Sequence, residues 1–398
     1  MKRVLIYFSE FNRALGGGEV TPLSFIAELQ KSCEVTLALN WRSDVAHAAE
    51  TLKFPVDLDK LKVEYVKPAS PFLQKLDAVL PFYRTRRLKQ LAKQADICIS
   101  TVNMFDFGKP AHHFVFLLRQ FGDNGFIDYL NGRPPLKGLA RARRKLRTFF
   151  AETLLRPLLG MRSTRKILAD PRERIYPNSH YVEKLMRSFY GEFNSCVFYP
   201  PTVFEFPELP QERDELKIVV LGHLFPEKRL LDIIEMTERA RELSGKELKL
   251  ELAGPRVISS YVEKLEALAA QKSWLKLVGP RYGGEKAAFL LSGSFAVHAE
   301  RDETFGIAVT EYLKAGVIPV VPDEGGPCEI VDDPDLAWHT VEEGAQILAR
   351  LVSDETFRRE KRAHCADRAR RFTRDAYLAS QHELLTRILN DEERETAP

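Results

Sequence analysis

The chain of 398 residues is too long for one compact core and long enough for two ordinary domains. Its 44% apolar and 29% charged residues exclude a disordered chain, and five scattered cysteines without a C-x-x-C pair fit free thiols in a reducing compartment. Net charge is only +3, yet residues 1–200 hold 32 Lys and Arg against 19 Asp and Glu while the remainder holds 27 against 37, so the first half faces something anionic.

The N-terminal run "KRVLIYFS" (2–9) is rich in β-formers and lacks the apolar length of a signal peptide. A glycine-bearing loop with Gly16, Gly17 and Gly18 follows, then a helical pattern from Thr21 to Lys31 and a strand, "CEVTLALN". Further short apolar runs, "ADICIST" (95–101) and "HHFVFLLR" (112–119), complete a pattern of buried strands separated by helices, the signature of a parallel sheet covered on both faces. Residues 133–166 stand apart, with eleven Lys and Arg against the single acid Glu152, and with Leu146, Phe149, Phe150, Leu154 and Leu158 interleaved. Such a basic amphipathic segment suits an anionic membrane surface, or else is a solvated helix face of its own domain. It lacks the aromatic stacking platform or the recognition fold of a nucleic-acid binder.

After a proline-rich break, "YPPTVFEFPELP" (199–210), the pattern restarts. Strands "LKIVVLG" (216–222), "LKLELAG" (248–254), "LKLVG" (275–279), "FAVHA" (295–299) and "VIPVVP" (317–322) alternate with amphipathic helices, "RLLDIIEMTERARELS" being the clearest. The expected architecture is α/β: a doubly wound domain over 1–200, a second over 201–372 and a long terminal helix with its tail over 373–398, packing back toward the first domain. Ligands in such folds sit at the carboxyl ends of the strands. No apolar stretch approaches the roughly 20 residues that cross a bilayer, so a cytoplasmic protein, at most peripheral to a membrane, is expected.

The densest chemical signal is "RDETFGIAVTEYLKAGVIPVVPDEGGPCEIV" (301–331). "GIAVTEYLKA" has helical spacing, Gly316 stands where a helix end favours a left-handed residue, and Thr304 is the expected N-cap. A helix start there attracts anions, and the Phe305-Gly306 step lets a ligand approach closely. Glu311, on nearly the same face as Thr304, can accept hydrogen bonds from paired hydroxyls such as a ribose, and Glu303 from hydroxyls of a sugar. Asp57-x-Asp59 lies in the middle of a domain, away from these elements, and no His, Cys and Asp cluster shows ligand spacing, so no metal is expected. "PNSHYVEKLM" (177–186) reads as a helix start capped by Asn178 or Ser179 rather than as part of a hydrolase triad.

Glu303-x7-Glu311 with Phe305-Gly306, followed by Ala315-Gly316, Gly325-Gly326-Pro327 and Glu329-Ile330-Val331, resembles the donor-site signature of glycosyltransferase family 4, the retaining GT-B enzymes. The stretch is similar in particular to the branch containing the dolichol-pathway α-1,2-mannosyltransferase, and the likeness is strong over about residues 217–331. The resemblance implies a GT-B fold, two Rossmann-like domains facing each other across a cleft. It implies that Glu303 and Lys228 are catalytic, Glu303 holding donor sugar hydroxyls and Lys228 the diphosphate. Glu311 would hold the ribose, while Thr304, Phe305 and Gly306 would present backbone groups to sugar and diphosphate. Gly17 and Gly18 fall where the family brings a glycine-rich loop against the diphosphate, though three glycines after a strand also make a tight turn. His223 stands where most of the family has arginine, either as a neutral donor or as a loop residue. Arg119 or Gln120 stands where many members carry a histidine near the reacting sugar, and Arg119 suits an acceptor phosphate or a structural ion pair.

The implied activity is that of a metal-independent retaining hexosyltransferase without cofactor. Its donor would be a nucleotide diphosphate sugar, GDP-mannose by resemblance, and its acceptor a lipid-linked glycan at the cytoplasmic face of a membrane. Two other readings keep the fold: a transferase with a small soluble acceptor, and a nucleotide-sugar epimerase, which would need no acceptor. A third, a two-lobed sugar-binding protein, gives Lys228 and Glu303 little purpose.

Overall fold

A computed structural model of the chain describes residues 1–11, 17–68, 82–116, 150, 154–207, 213–256 and 258–390. The polypeptide divides into two compact units, one formed by residues 1–201 together with 378–398 and the other by 202–377. Among the described residues no helix is long and apolar enough to cross a membrane.

The first unit is built on a six-stranded sheet ordered β3-β2-β1-β4-β5-β6, with β1 Lys2–Phe8, β2 Cys33–Leu39, β3 Lys62–Tyr65, β4 Ile97–Ser100, β5 His112–Val115 and β6 Arg174–Pro177. Every pairing is parallel, β1 lying between β2 and β4 with Val4 opposite Val35 and Ile97. Val4 through Phe8 are all buried, as a central strand covered on both faces requires. The helix expected over 21–31 runs Gly17–Leu29, and Ser179 does cap the helix His180–Tyr190, its hydroxyl accepting from the Val182 amide at 3.0 Å. A buried ionic cluster fixes the sheet to the chain that precedes β6. Arg162 reaches Asp106 at 2.9 Å and Glu173 at 2.7 Å, Lys89 reaches Asp106 at 2.7 Å, and Glu173 lies 2.9 Å from the His113 ring. Burial opposes the charge of Asp106, but Lys89 and Arg162 outweigh it and hold its carboxyl below the usual range.

The second unit carries a parallel six-stranded sheet ordered β12-β11-β10-β7-β8-β9, with β7 Asp214–Leu221, β8 Lys249–Ala253, β9 Leu275–Leu277, β10 Gly293–Val297, β11 Ile318–Pro322 and β12 Ala337–Trp338. Strands β10 and β11 are buried at every residue. The sheet order turns outward in both directions from the β7–β10 pair, so the loops after these two strands open side by side at the carboxyl end of the sheet.

Three strands lie outside the apolar runs picked out above. They are β3 (KVEY), β6 (RIYP) and the two-residue β12. Arg119, Gln120, Gly16 and residues 133–149 and 151–153 of the basic segment lie outside the described residues. Within the described part of that segment, Arg162 is engaged in the ionic cluster rather than offered to a surface.

Candidate active site

Two loops of the second unit supply the site. After β7 the chain makes a short turn, Pro226–Lys228, and Arg229 adopts a left-handed conformation (φ 50°) as the helix Leu230–Ser244 begins. That turn brings Lys228 back over the strand end. After β10 the chain carries His298, Glu300 and Glu303 before the helix Ile307–Lys314. The Lys228 ammonium lies 2.5 Å from Glu300 Oε2 and 2.7 Å from Glu303 Oε2. The side chains of all three are largely buried, with exposures of 21%, 14% and 23% for Lys228, Glu300 and Glu303.

The electrostatics follow from one cation facing two acids. Burial penalises the charge on Glu300 and Glu303 adds repulsion, so the Glu300 carboxyl rises to about 7. Burial also disfavours the Glu303 carboxylate, but the Lys228 charge outweighs this and lowers its pKa. Lys228 loses by desolvation and gains more from the two carboxylates, so its pKa is raised. His298 is buried beside them and kept neutral by desolvation and by the Lys228 charge, down to about 4. His298, Glu300 and Glu303 bring their ligating atoms within 4.8 Å of one another, a spacing that suits a cation, and the Lys228 ammonium supplies that charge.

Neighbouring groups hold the two loops in register. Tyr312, buried on the helix Ile307–Lys314, accepts a hydrogen bond from the Leu221 amide at 2.7 Å and so ties this helix to the end of β7. Arg301 pairs with Asp323 at 3.1 Å and Glu324 at 3.4 Å and lies 5.1 Å over the Trp338 ring, joining the loops after β10 and β11. Gly326 donates its amide to the Glu303 carbonyl at 2.9 Å, and a Cβ there would stand 2.4 Å from the Phe305 Cα. The two backbones thus touch at a place only glycine allows.

Thr304 is not the cap expected of it. The helix starts at Ile307, with Gly306 as N-cap at φ 103° and no side-chain cap bond. Its place is set by Pro327, whose ring stands 3.1 Å from where a Gly306 Cβ would be. Phe305 turns its ring into the core, 6.1 Å from the Phe372 ring. Glu311 is buried on the helix, and its carboxylate receives the Lys286 ammonium at 2.6 Å. Lys286 in turn lies 3.7 Å over the Phe204 ring. His223 is exposed, its ring edge-on to Phe225 at 6.2 Å. In the first unit, Gly17 and Gly18 open the helix Gly17–Leu29, and among the described residues outside that turn of the helix nothing stands within 4 Å of where a Gly18 Cβ would be.

The structure therefore brings Lys228 and Glu303 into direct contact. It adds three residues that sequence reasoning missed: Glu300, His298 and Lys286. Glu300 lies three residues before Glu303 and carries a signal only as one more acid in a loop.

Residues 203–372 match the family model described as "Glycosyl transferases group 1". A curated relative from Eremothecium gossypii, "GDP-Man:Man(3)GlcNAc(2)-PP-Dol alpha-1,2-mannosyltransferase", is 29% identical over 146 residues, covering 34% of this chain and 25% of the relative. A protein of the same description from Yarrowia lipolytica is 54% identical over 43 residues, 11% of this chain and 7% of the relative. The chain thus spans a quarter or less of the length of these relatives. Among solved structures, HepE of Anabaena in complex with UDP and glucose superposes with TM-score 0.62 at 13% identity, over 97% of this chain and 100% of that one. Sucrose-phosphate synthase from Thermosynechococcus elongatus gives TM-score 0.65 at 14% identity, over 98% and 100%. Residues 203–372 thus resemble the group 1 glycosyl transferases, and the chain has the two-unit α/β fold, GT-B, of these solved structures.

Proposed function

We propose that the chain transfers a sugar from a nucleotide diphosphate donor to an acceptor hydroxyl, without a metal and with retention at the anomeric carbon. The observation that carries this reading is the Lys228 ammonium held between Glu300 and Glu303 at adjoining strand ends of a group 1 segment. A largely buried ammonium is suited to a diphosphate, and it neutralises the charge that grows as the nucleoside diphosphate departs. Glu303 accepts bonds from donor sugar hydroxyls, and Glu311, whose carboxylate has acceptor capacity beyond Lys286, takes the ribose. Thr304, Phe305 and Gly306 offer backbone groups to the ligand. With leaving group and nucleophile held on one face, positioning and electrostatics supply most of the rate.

Mannose and guanosine are the sugar and base we assign, from the likeness to the two mannosyltransferases. The acceptor we assign is a polyprenyl-linked glycan at a membrane surface reached by residues 133–166. Exposed Phe150, Leu154 and Leu158, four residues apart, support that contact.

The test is thermal stabilisation by a panel of nucleoside diphosphates and their sugars without metal. A ligand at 100 times its dissociation constant adds about 2.7 kcal/mol. Guanosine diphosphate and GDP-mannose are expected to raise the melting temperature of the wild type. Lys228→Ala is expected to abolish the shift, and Glu303→Ala to lower transfer by on the order of 10²–10³-fold. No shift with any nucleotide, or wild-type turnover by Glu303→Ala, overturns the donor site. Formation of a sugar epimer without acceptor would replace transfer by epimerisation.

A further inference from the structure

Among the described residues, Lys228 is the cation that pairs with Glu300 and with Glu303, at 2.5 and 2.7 Å. The neighbouring guanidinium groups are engaged elsewhere, Arg301 with Asp323 and Glu324 and Arg229 with Asp232. One positive charge therefore already faces two carboxylates in a mostly buried site. A donor diphosphate adds two more negative charges to the same ammonium. With both acids ionised, the cluster would be left with a large uncompensated negative charge at low dielectric, a condition buried sites relieve by taking up a proton.

We infer that Glu300 is a positioning residue that stores the compensating proton: it shares the Lys228 ammonium with Glu303 in the empty site and is protonated from solvent when a nucleotide sugar claims that ammonium. This inference rests on the donor-site reading above. Glu303 cannot play the part, because the Lys228 charge keeps it ionised, and an ionised Glu303 is what sugar hydroxyls require. His298 faces the pair from the end of β10 but stays neutral down to about 4. Tyr312, facing Lys228 from the helix Ile307–Lys314, has its phenol raised by burial and stays protonated. Glu300 itself sits at about 7, where a small added field moves its proton. Upon binding, one proton passes from water to the Glu300 carboxylate and Lys228 swings its freed donors to the phosphates. Upon release of the diphosphate the proton returns to water.

The sign follows from linkage. A site that takes up a proton on binding loses affinity as pH rises above the carboxyl's titration in the empty site, by up to about tenfold per pH unit. Nucleotide sugars serve as probes because their phosphates do not titrate in this range. Calorimetric titration of the whole protein with GDP-mannose and UDP-glucose from pH 6.5 to 8.5 is expected to show wild-type affinity falling about tenfold or more. In Glu300→Gln it is expected to change less than about twofold. Wild-type binding heats measured in two buffers of different ionisation enthalpy are expected to report uptake of a fraction of a proton near pH 7.5, a readout that needs no variant to fold. Equal pH slopes in wild type and Glu300→Gln, or no proton uptake by the wild type, overturn the role of Glu300 while leaving the donor site standing. Failure of the wild type to bind either nucleotide sugar overturns the donor site and this inference with it.

Discussion

Lys286 and Glu311 meet at 2.6 Å with side-chain exposures of 18% and 9%, so this ion pair is largely removed from water. The pairing limits what Glu311 can do but does not exhaust it, since a carboxylate has about four acceptor positions and one ammonium uses one or two. A ribose-holding Glu311 is therefore a glutamate already oriented by Lys286, and the lysine is itself steadied over the Phe204 ring. Removing one partner of a buried pair strands the other charge, at a cost of roughly 3–5 kcal/mol. We expect Lys286→Met to lower unfolding stability on that scale, and Lys286→Met with Glu311→Gln to recover much of the loss, as measured by denaturant titration. A loss below about 0.5 kcal/mol in the single variant would mean that the pair behaves as a solvated surface contact.

At the scale of elements, the contact between the loop after β10 and the helix Gly326–Val331 decides the shape of the site. A methyl group at Gly326 would meet Phe305 Cα, O and N at 2.4, 2.5 and 2.7 Å, all of them backbone atoms that cannot swing aside. Gly326→Ala is expected to cost about 1–3 kcal/mol in thermal stability and to displace Glu303, weakening nucleotide-sugar binding as well. Gly18→Ala is the opposite case: among the described residues outside its own turn of the helix nothing lies within 4 Å of a Cβ there, and alanine is the better helix former by about 1 kcal/mol. Unchanged or raised stability with lost nucleotide binding would identify Gly18 as a close-approach residue, whereas unchanged binding would reduce it to a helix start.

These elements also show what the sequence makes legible. Strands β1, β10 and β11 follow from apolar runs, because central parallel strands are buried on both faces, and β2, β7 and β8 follow from apolar residues interrupted by exposed or half-buried polar ones. Strand β3 is a four-residue edge, exposed at Lys62 and Tyr65 and half-buried at Val63 and Glu64, and β6 is four residues closed by a proline, so neither has a pattern of its own. The site was legible where it is local: Glu303, Gly306 and Glu311 fall within nine residues. The cap was misplaced because Thr304 competes with a position that Pro327 and Gly326, some twenty residues away, impose on Gly306. Glu300, His298 and Lys286 could not be singled out, since what distinguishes them is a partner brought near only by the sheet.

The last helix contributes residues to both units. Arg374–Asn390 starts in the second unit and ends in the first, where Leu384, Leu385 and Ile388 are buried to 2% exposure or less. Gln381 donates to the Ser24 carbonyl at 3.0 Å and His382 reaches Glu28 at 2.8 Å, both on the helix Gly17–Leu29 that opens with Gly17 and Gly18. The chain's end thus completes the core beneath its beginning, and a substitution near the C-terminus should be felt at the N-terminal sheet. Leu385→Ala is expected to cost the first unit about 2–5 kcal/mol through lost burial and a residual cavity. Amide hydrogen exchange separates the units: protection should fall in β1, β2 and the helix Gly17–Leu29 while β7 and β10 keep theirs. An equal loss in β7 and β10 would mean that the two units unfold as one, and that the terminal helix belongs to both.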